Sequence, residues 1–253
     1  MITRSFIFLE RIGEKTERKL WNLGITSWYK FLEAPEIPGI ALNKKHQYDI
    51  ELKIAERRLA NLQIEYFIQR LPHREHWRLF EYLKNYTVYL DIETTGMSRY
   101  SPITVVGIFD GKHIKTFVRD INLSSSNLKN ALSGVKQIIT FNGACFDLPI
   151  LRTQFPYVLP KNLIHLDLRF LARRLGLTGG LKRVEQRLGI TRNERIQSMN
   201  GDDAVILWLI WERERDINAL KLLIEYNRAD VINLRLLANI IYRKLVHRLI
   251  ARA

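Results

Sequence analysis

TVYLDIETTGMS, residues 87–98, reads as a buried strand that runs directly into two carboxylates. Val88, Leu90 and Ile92 fall on one side of a period-two pattern and Tyr89, Asp91 and Glu93 on the other, so both acids project from one face of that strand. Like charges held that close repel each other, and a counter-charge is needed to keep them together.

Further acids fall where they could join this pair. Asp147, in TFNGACFDLPIL, follows the apolar strand IITF and stands near the start of a helix, with Asn142 in the intervening loop. Asp230, in EYNRADVINLRLL, lies inside a long amphipathic helix, four residues after Tyr226, so those two side chains share a helical face. Both aspartates sit among apolar residues, where an unpaired carboxylate is costly to bury. Four such carboxylates can hold two hard divalent cations, Mg²⁺ or Mn²⁺, about 3.5–4 Å apart, a spacing used for in-line attack on a phosphodiester. Tyr226 is placed to orient the attacking water. Taken singly, a strand-end acid pair is commonly solvated, an aspartate at a helix start commonly caps it, and a helical tyrosine is commonly core.

The three segments DIETTG, NGACFD and YNRAD resemble the three exonuclease motifs of the DEDD superfamily, in the branch that carries tyrosine in the third motif. FNGACFDLPIL, HLDLRFLARRLGLTGGLKRVEQRLGI and YNRADVINL are similar to the YprB-type ribonuclease H-like domain, over about residues 86–242. The resemblance implies an α/β fold, a ribonuclease H-like mixed sheet flanked by helices, and removal of nucleotides from a 3′ end. Carried over, it makes Asp91, Glu93, Asp147 and Asp230 metal ligands and Tyr226 the residue that positions water. Thr94, Thr95, Gly96, Met97 and Asn142 would meet the terminal nucleotide, and Lys182 and Arg183 are available to phosphates. His165 and Asp167 fall on what the family uses as a structural strand beside the site.

The surroundings are consistent with that expectation. Strand-like segments at 86–92, 103–109 and 113–118, with Asp110-Gly111 as a hairpin signal, precede a helix near 125–134 and short strands at 137 and 163. Antiparallel strands followed by strand-helix alternation imply a mixed sheet with helices on its faces. The last third reads as helical, and GLTGG at 176–180 reads as a turn between helices. Residues 1–85 form a separate helical region, ahead of an exonuclease domain over 86–253. Within that region, residues 8–33 resemble a helix-hairpin-helix, with Gly13, Leu20, Gly24, Ile25 and Leu32 in pattern and Arg11 where the first hairpin glycine usually stands. Arg11 and Lys15 could reach a phosphate by side chain. One long amphipathic helix is expected over 45–70, with Ile50, Ile54, Leu59, Leu62 and Phe67 on its apolar side.

Of the 253 residues, 40 are Lys or Arg and 26 Asp or Glu, giving a formal charge of +14 and making an anionic polymer the first partner to consider. The basic residues are spread along the chain, which favours nucleic acid over a membrane surface. Single-stranded DNA is the expected substrate, with RNA the alternative within the class and a non-catalytic nucleic-acid-binding adaptor the alternative outside it. Cys145 is the single cysteine, so neither an internal disulfide nor a cysteine zinc site can form, and it reads as a buried thiol. The N-terminus has only a four-residue apolar run, and no segment approaches a membrane span, so a cytoplasmic protein is expected.

Overall fold

Strand β1 (Thr87–Thr94) holds the central place in a five-stranded sheet. The computed structural model describes residues 1–251. On one side of β1 lie β2 (Ile103–Phe109) and β3 (Ile114–Val118), both antiparallel to their neighbours; on the other lie β4 (Gln137–Thr140) and β5 (Ile164–Asp167), both parallel. The order is β3-β2-β1-β4-β5, a mixed sheet as the sequence implied. The hairpin between β2 and β3 turns where Asp110-Gly111 indicated. The Asp110 carboxylate accepts the amides of Lys112 and His113, and Gly111 has φ of 93°, a region open to glycine.

The chain divides into two compact units, residues 1–84 with the chain from Leu245 onward, and Asn85–Lys244. The first contains α1 (Glu14–Asn22), α2 (Trp28–Glu33), α3 (Leu42–Ala60) and α4 (Glu65–Arg70), followed by a 3₁₀ turn over His73–Leu79. Phe6, Phe8, Trp28, Phe31 and Phe67 are all buried, with the Trp28 and Phe67 rings stacked at 6.2 Å. Beneath them Arg78 is buried with two acids. Its guanidinium donates to both oxygens of Glu17 at 2.8 Å, to Glu75 at 2.8 Å and to Ser5 Oγ at 2.8 Å.

The single helix expected over 45–70 is two helices. After Ala60 the chain turns through Leu62, whose φ is 54°, and the amides of Leu62 and Gln63 close back on the carbonyls of Leu59 and Arg58. The buried side of α3 is also displaced from the expected one. Leu52, Ala55 and Leu59 are buried, while Ile50 and Ile54 are exposed, because two apolar stripes compete on this helix and only one is covered.

In the second unit come α5 (Ser125–Ala131), α6 (Asp147–Gln154), α7 (Leu168–Arg174), α8 (Leu181–Arg187), α9 (Glu194–Gln197), α10 (Gly201–Glu214) and most of α11 (Ile217–Ile250), whose part from Leu245 counts with the first unit. Strand alternation sends side chains into two cores. Val88, Leu90, Ile92, Val106 and Ile108 pack with Leu128 of α5 and with Leu148, Ile150 and Leu151 of α6. Val105 packs on the opposite face, with Trp208 of α10 and Leu220, Leu223 and Tyr226 of α11. Asp91 and Glu93 alternate with the first set. Among the described residues no helix is long and apolar enough to cross a membrane.

Removing Arg78 tests whether the first unit depends on its buried charges. Arg78→Ala takes the buried guanidinium away from Glu17 and Glu75 and is expected to cost about 3–5 kcal/mol, read from the denaturation midpoint. A loss below about 1 kcal/mol would show that the acids find water or protons without difficulty.

Candidate active site

The strand that carries Asp91 and Glu93 is open on one edge where it matters. β4 pairs with β1 only as far as Tyr89, so the amide of Ile92 has no strand partner on that side. The carboxylate of Asp147, first residue of α6, takes its place and accepts the Ile92 N–H at 3.1 Å. Asp147 does not cap its own helix, since Phe146 occupies the cap position and makes no side-chain cap bond.

A loop folded by Asp167 delivers Asp147 to that edge. Asp167, at the end of β5, accepts the amides of Asn142 at 2.8 Å and Ala144 at 3.0 Å, and also caps α7 through Arg169 N–H. Asn142 has φ of 67°, and its side-chain oxygen accepts from the Arg169 guanidinium. His165 bonds to Thr140 Oγ1 at 2.8 Å, so β5 acts as the supporting strand that the sequence suggested.

From the other side α11 brings Tyr226, Asn227 and Asp230. Oxygens of Asp91, Glu93 and Asp230 lie within 4.8 Å of one another. Asn227 is fully buried and donates to Asp91 Oδ2 at 2.9 Å. Its approach depends on Gly107, which pairs with Asp91 across β1 and β2: a Cβ there would stand 2.1 Å from Asn227 Oδ1 and 3.1 Å from Val231 Cγ1. Asp230 meets Arg192, from the segment after α8, in an ion pair of 2.5 Å.

Beside Glu93 a cleft of about 340 Å³ is lined by Thr94, Gly96, Met97, Phe146 and, from α10, Asp202, Val205 and Ile206. Thr94 Oγ1 holds the carbonyl of Gly96 at 2.6 Å, Thr95 N–H bonds to the Pro102 carbonyl, and the Met97 side chain is 82% exposed. Lys182 is less free than its sequence position suggested. Its ammonium donates to the carbonyls of Ile196 and Gln197 at 3.3 and 3.2 Å and lies 5.3 Å from the Tyr226 ring centroid. Arg183 is exposed and packs over Gly179, in the turn joining α7 to α8. Cys145 is exposed, contrary to the buried thiol expected, because the Asp167-bound loop turns it outward.

The charges of this cluster are poorly balanced. Burial, followed by the charges of Asp230, Glu93 and Asp147, pushes the Asp91 carboxyl well above the usual carboxylate range. Burial and then Asp230 do the same to Glu93. Burial raises Asp147 to about 7, although the Ile92 amide opposes it. Asp230 is raised to about 6 by burial, with Arg192 as the main opposing influence. The Tyr226 hydroxyl is raised by burial and then by Asp230, Glu93 and Asp91, so it stays protonated. Hard oxygen donors, close approach and unbalanced negative charge together fit a divalent cation.

Three residues of this arrangement were not singled out in the sequence: Asn227, Gly107 and Arg192. Asn227 stands between Tyr226 and Asp230 and could have been found as a polar residue on the buried face of α11. Gly107 stands inside a strand of mostly β-branched and apolar residues, which is itself a sign of close approach.

The raised carboxyls set a pH dependence. In the folded state these groups keep protons that the unfolded chain has released, so stability falls as pH rises from about 4 to about 7. The melting temperature of the metal-free protein should decline across that window, and Asp230→Asn should flatten the decline. A wild-type curve no steeper than that of the variant would mean that the cluster carries no such strain.

Three solved structures are similar to this chain at low identity. NrnC of Brucella melitensis is 20% identical, with a TM-score of 0.48 over 67% of this chain and 78% of that one. RNase D of Escherichia coli, an exoribonuclease involved in structured RNA processing, is 18% identical, with a TM-score of 0.42 over 70% and 47%. The family B DNA polymerase of Pyrobaculum calidifontis is 16% identical, with a TM-score of 0.45 over 57% and 23%. No curated protein matches the chain in sequence. A family model for the RNase H superfamily matches residues 88–242, which include β1, the Asp147 loop and the Asp230 segment of α11. The chain belongs to the RNase H superfamily.

Proposed function

We propose that this chain is a metal-dependent 3′→5′ exonuclease of the tyrosine-type DEDD branch, with a YprB-like domain, acting on single-stranded DNA. The observation that carries the reading is the convergence of Asp91, Glu93 and Asp230, with Asp147 fixed beside them on the Ile92 amide. In this reading residues 86–253 are the nuclease domain and 1–85 an accessory helical region.

Asp91, Glu93, Asp147 and Asp230 would hold two ions, Mg²⁺ or Mn²⁺. Bound there, such ions supply Lewis acidity toward a phosphate and make water more acidic. The chain's own groups do the positioning. Tyr226, kept neutral by its raised pKa, serves as a hydrogen-bond donor that orients water. The cleft formed by Thr94, Gly96, Met97, Phe146 and α10 offers apolar walls to the terminal base, beside Glu93. The reading takes DNA rather than RNA on the resemblance of residues 8–33 to a helix-hairpin-helix. There Arg11 adopts φ of 62°, the backbone conformation glycine supplies in that motif, with its side chain exposed. The formal charge of +14 adds attraction for a polyanion of either kind.

Matched DNA and RNA oligonucleotides, labelled at the 3′ or the 5′ end and incubated with Mg²⁺, Mn²⁺ or chelator, test the reading. A 3′ label should be released first as a mononucleotide, only with metal, and faster from DNA. Full activity in excess chelator, or early loss of a 5′ label, would contradict it. Asp91→Asn should abolish turnover in a folded protein, and Tyr226→Phe should slow the saturated single-turnover rate by roughly 10²-fold with little change in affinity. An unchanged rate for Tyr226→Phe would leave that tyrosine a packing residue.

A further inference from the structure

Arg192 belongs to none of the three acidic motifs, yet its guanidinium is buried against one of their carboxylates. Its Nε and Nη2 donate to Glu185 Oε2 and Oε1 at 2.7 and 2.8 Å, a two-pronged grip that fixes the plane of the guanidinium. The same Nη2 faces Asp230 Oδ1 at 2.5 Å. The Arg192 and Glu185 side chains are 4% and 1% exposed, so neither swings freely into solvent. Glu185 lies on α8, Arg192 between α8 and α9, and Asp230 on α11, so the contact ties three segments at the edge of the cluster.

A carboxylate on a rotatable side chain can present its two oxygens in many directions. Holding one of them in an ion pair with a rigid guanidinium, itself gripped twice by Glu185, restricts the rotation of the other. An oxygen of Asp230 is among those that lie within 4.8 Å of Asp91 and Glu93.

We propose that Arg192, clamped by Glu185, is the positioning residue of Asp230 and sets the rotation in which that carboxylate faces Asp91 and Glu93. The proposal rests on the metal-dependent reading above. Arg192 touches neither the substrate nor the reacting atoms in this role; it acts through Asp230. Electrostatics alone argues for the opposite effect, because a fixed cation beside a ligand repels a second cation, and its removal would tighten metal binding. The sign of the change in metal affinity therefore decides between orientation and competition.

The experiment is Mn²⁺ binding by calorimetry to the full-length chain, with melting temperature measured alongside. The variants are Arg192→Gln, Arg192→Lys and the double variant Glu185→Gln with Arg192→Gln. The double variant leaves a neutral, hydrogen-bonded pair, so no buried charge is stranded and affinity can be read in a folded protein. Mn²⁺ affinity should weaken about 10- to 100-fold in the double variant and recover in part in Arg192→Lys, which restores a donor to Asp230 without the planar grip. Single-turnover rate should fall in the same order at an unchanged KM for the oligonucleotide. Unchanged or tighter Mn²⁺ binding in the double variant, with normal binding in the wild type, would overturn the role of Arg192 and leave the metal-dependent reading standing. No Mn²⁺ binding by the wild type would overturn both.

Discussion

The crowding of four carboxyl groups, three buried and Asp91 partly so, at the end of one strand is the constraint around which the nuclease-like unit is built. Asp91 and Glu93 come from β1, Asp147 from the first residue of α6 and Asp230 from α11, and burial raises the pKa of every one. Such a cluster persists only where its neighbours over-determine it. Here the neighbours are specific: the Ile92 amide on Asp147, the Asn227 side chain on Asp91, and the Arg192 guanidinium on Asp230. Gly107 belongs with them, because a Cβ there would collide with the Asn227 side chain that holds Asp91.

Much of this was legible in the sequence because strand alternation and helical spacing are local. The period-two pattern of residues 87–94 placed Asp91 and Glu93 on one face, and the four-residue interval between Tyr226 and Asp230 placed those on another. Asp-Gly at 110–111 located the hairpin for the same reason. What escaped was decided by contacts distant in sequence. Nothing near Arg192 indicates that it meets Asp230, 38 positions later, and nothing near Lys182 indicates that two carbonyls of the α9 segment accept its hydrogen bonds. The break after Ala60 was missed because a leucine in the left-handed region leaves no glycine or proline to mark it.

The chain's net charge and the charge of its acidic cluster are of opposite sign. The chain carries a formal +14, yet the cleft beside Glu93 adjoins an acidic cluster whose Asp230 is paired with Arg192. In the proposed activity a net positive charge would raise the local concentration of a polyanion, which the acidic cluster would accept only once its own charge is compensated. This division makes cation binding and nucleic-acid binding cooperative in the proposed activity, since each charge set supplies what the other lacks.

The account turns on one exchange: the cluster holds protons when no divalent cation is bound and gives them up when one is. Calorimetric titration with Mn²⁺ near neutral pH, repeated in buffers of different ionisation enthalpy, counts the protons released on binding. The account predicts a net release of about one proton or more per binding event, falling toward zero at higher pH as the carboxyls ionise on their own. Binding with no proton release near neutral pH would contradict it, because the carboxylates would then already be charged and neither burial nor their mutual repulsion would have raised their pKa values.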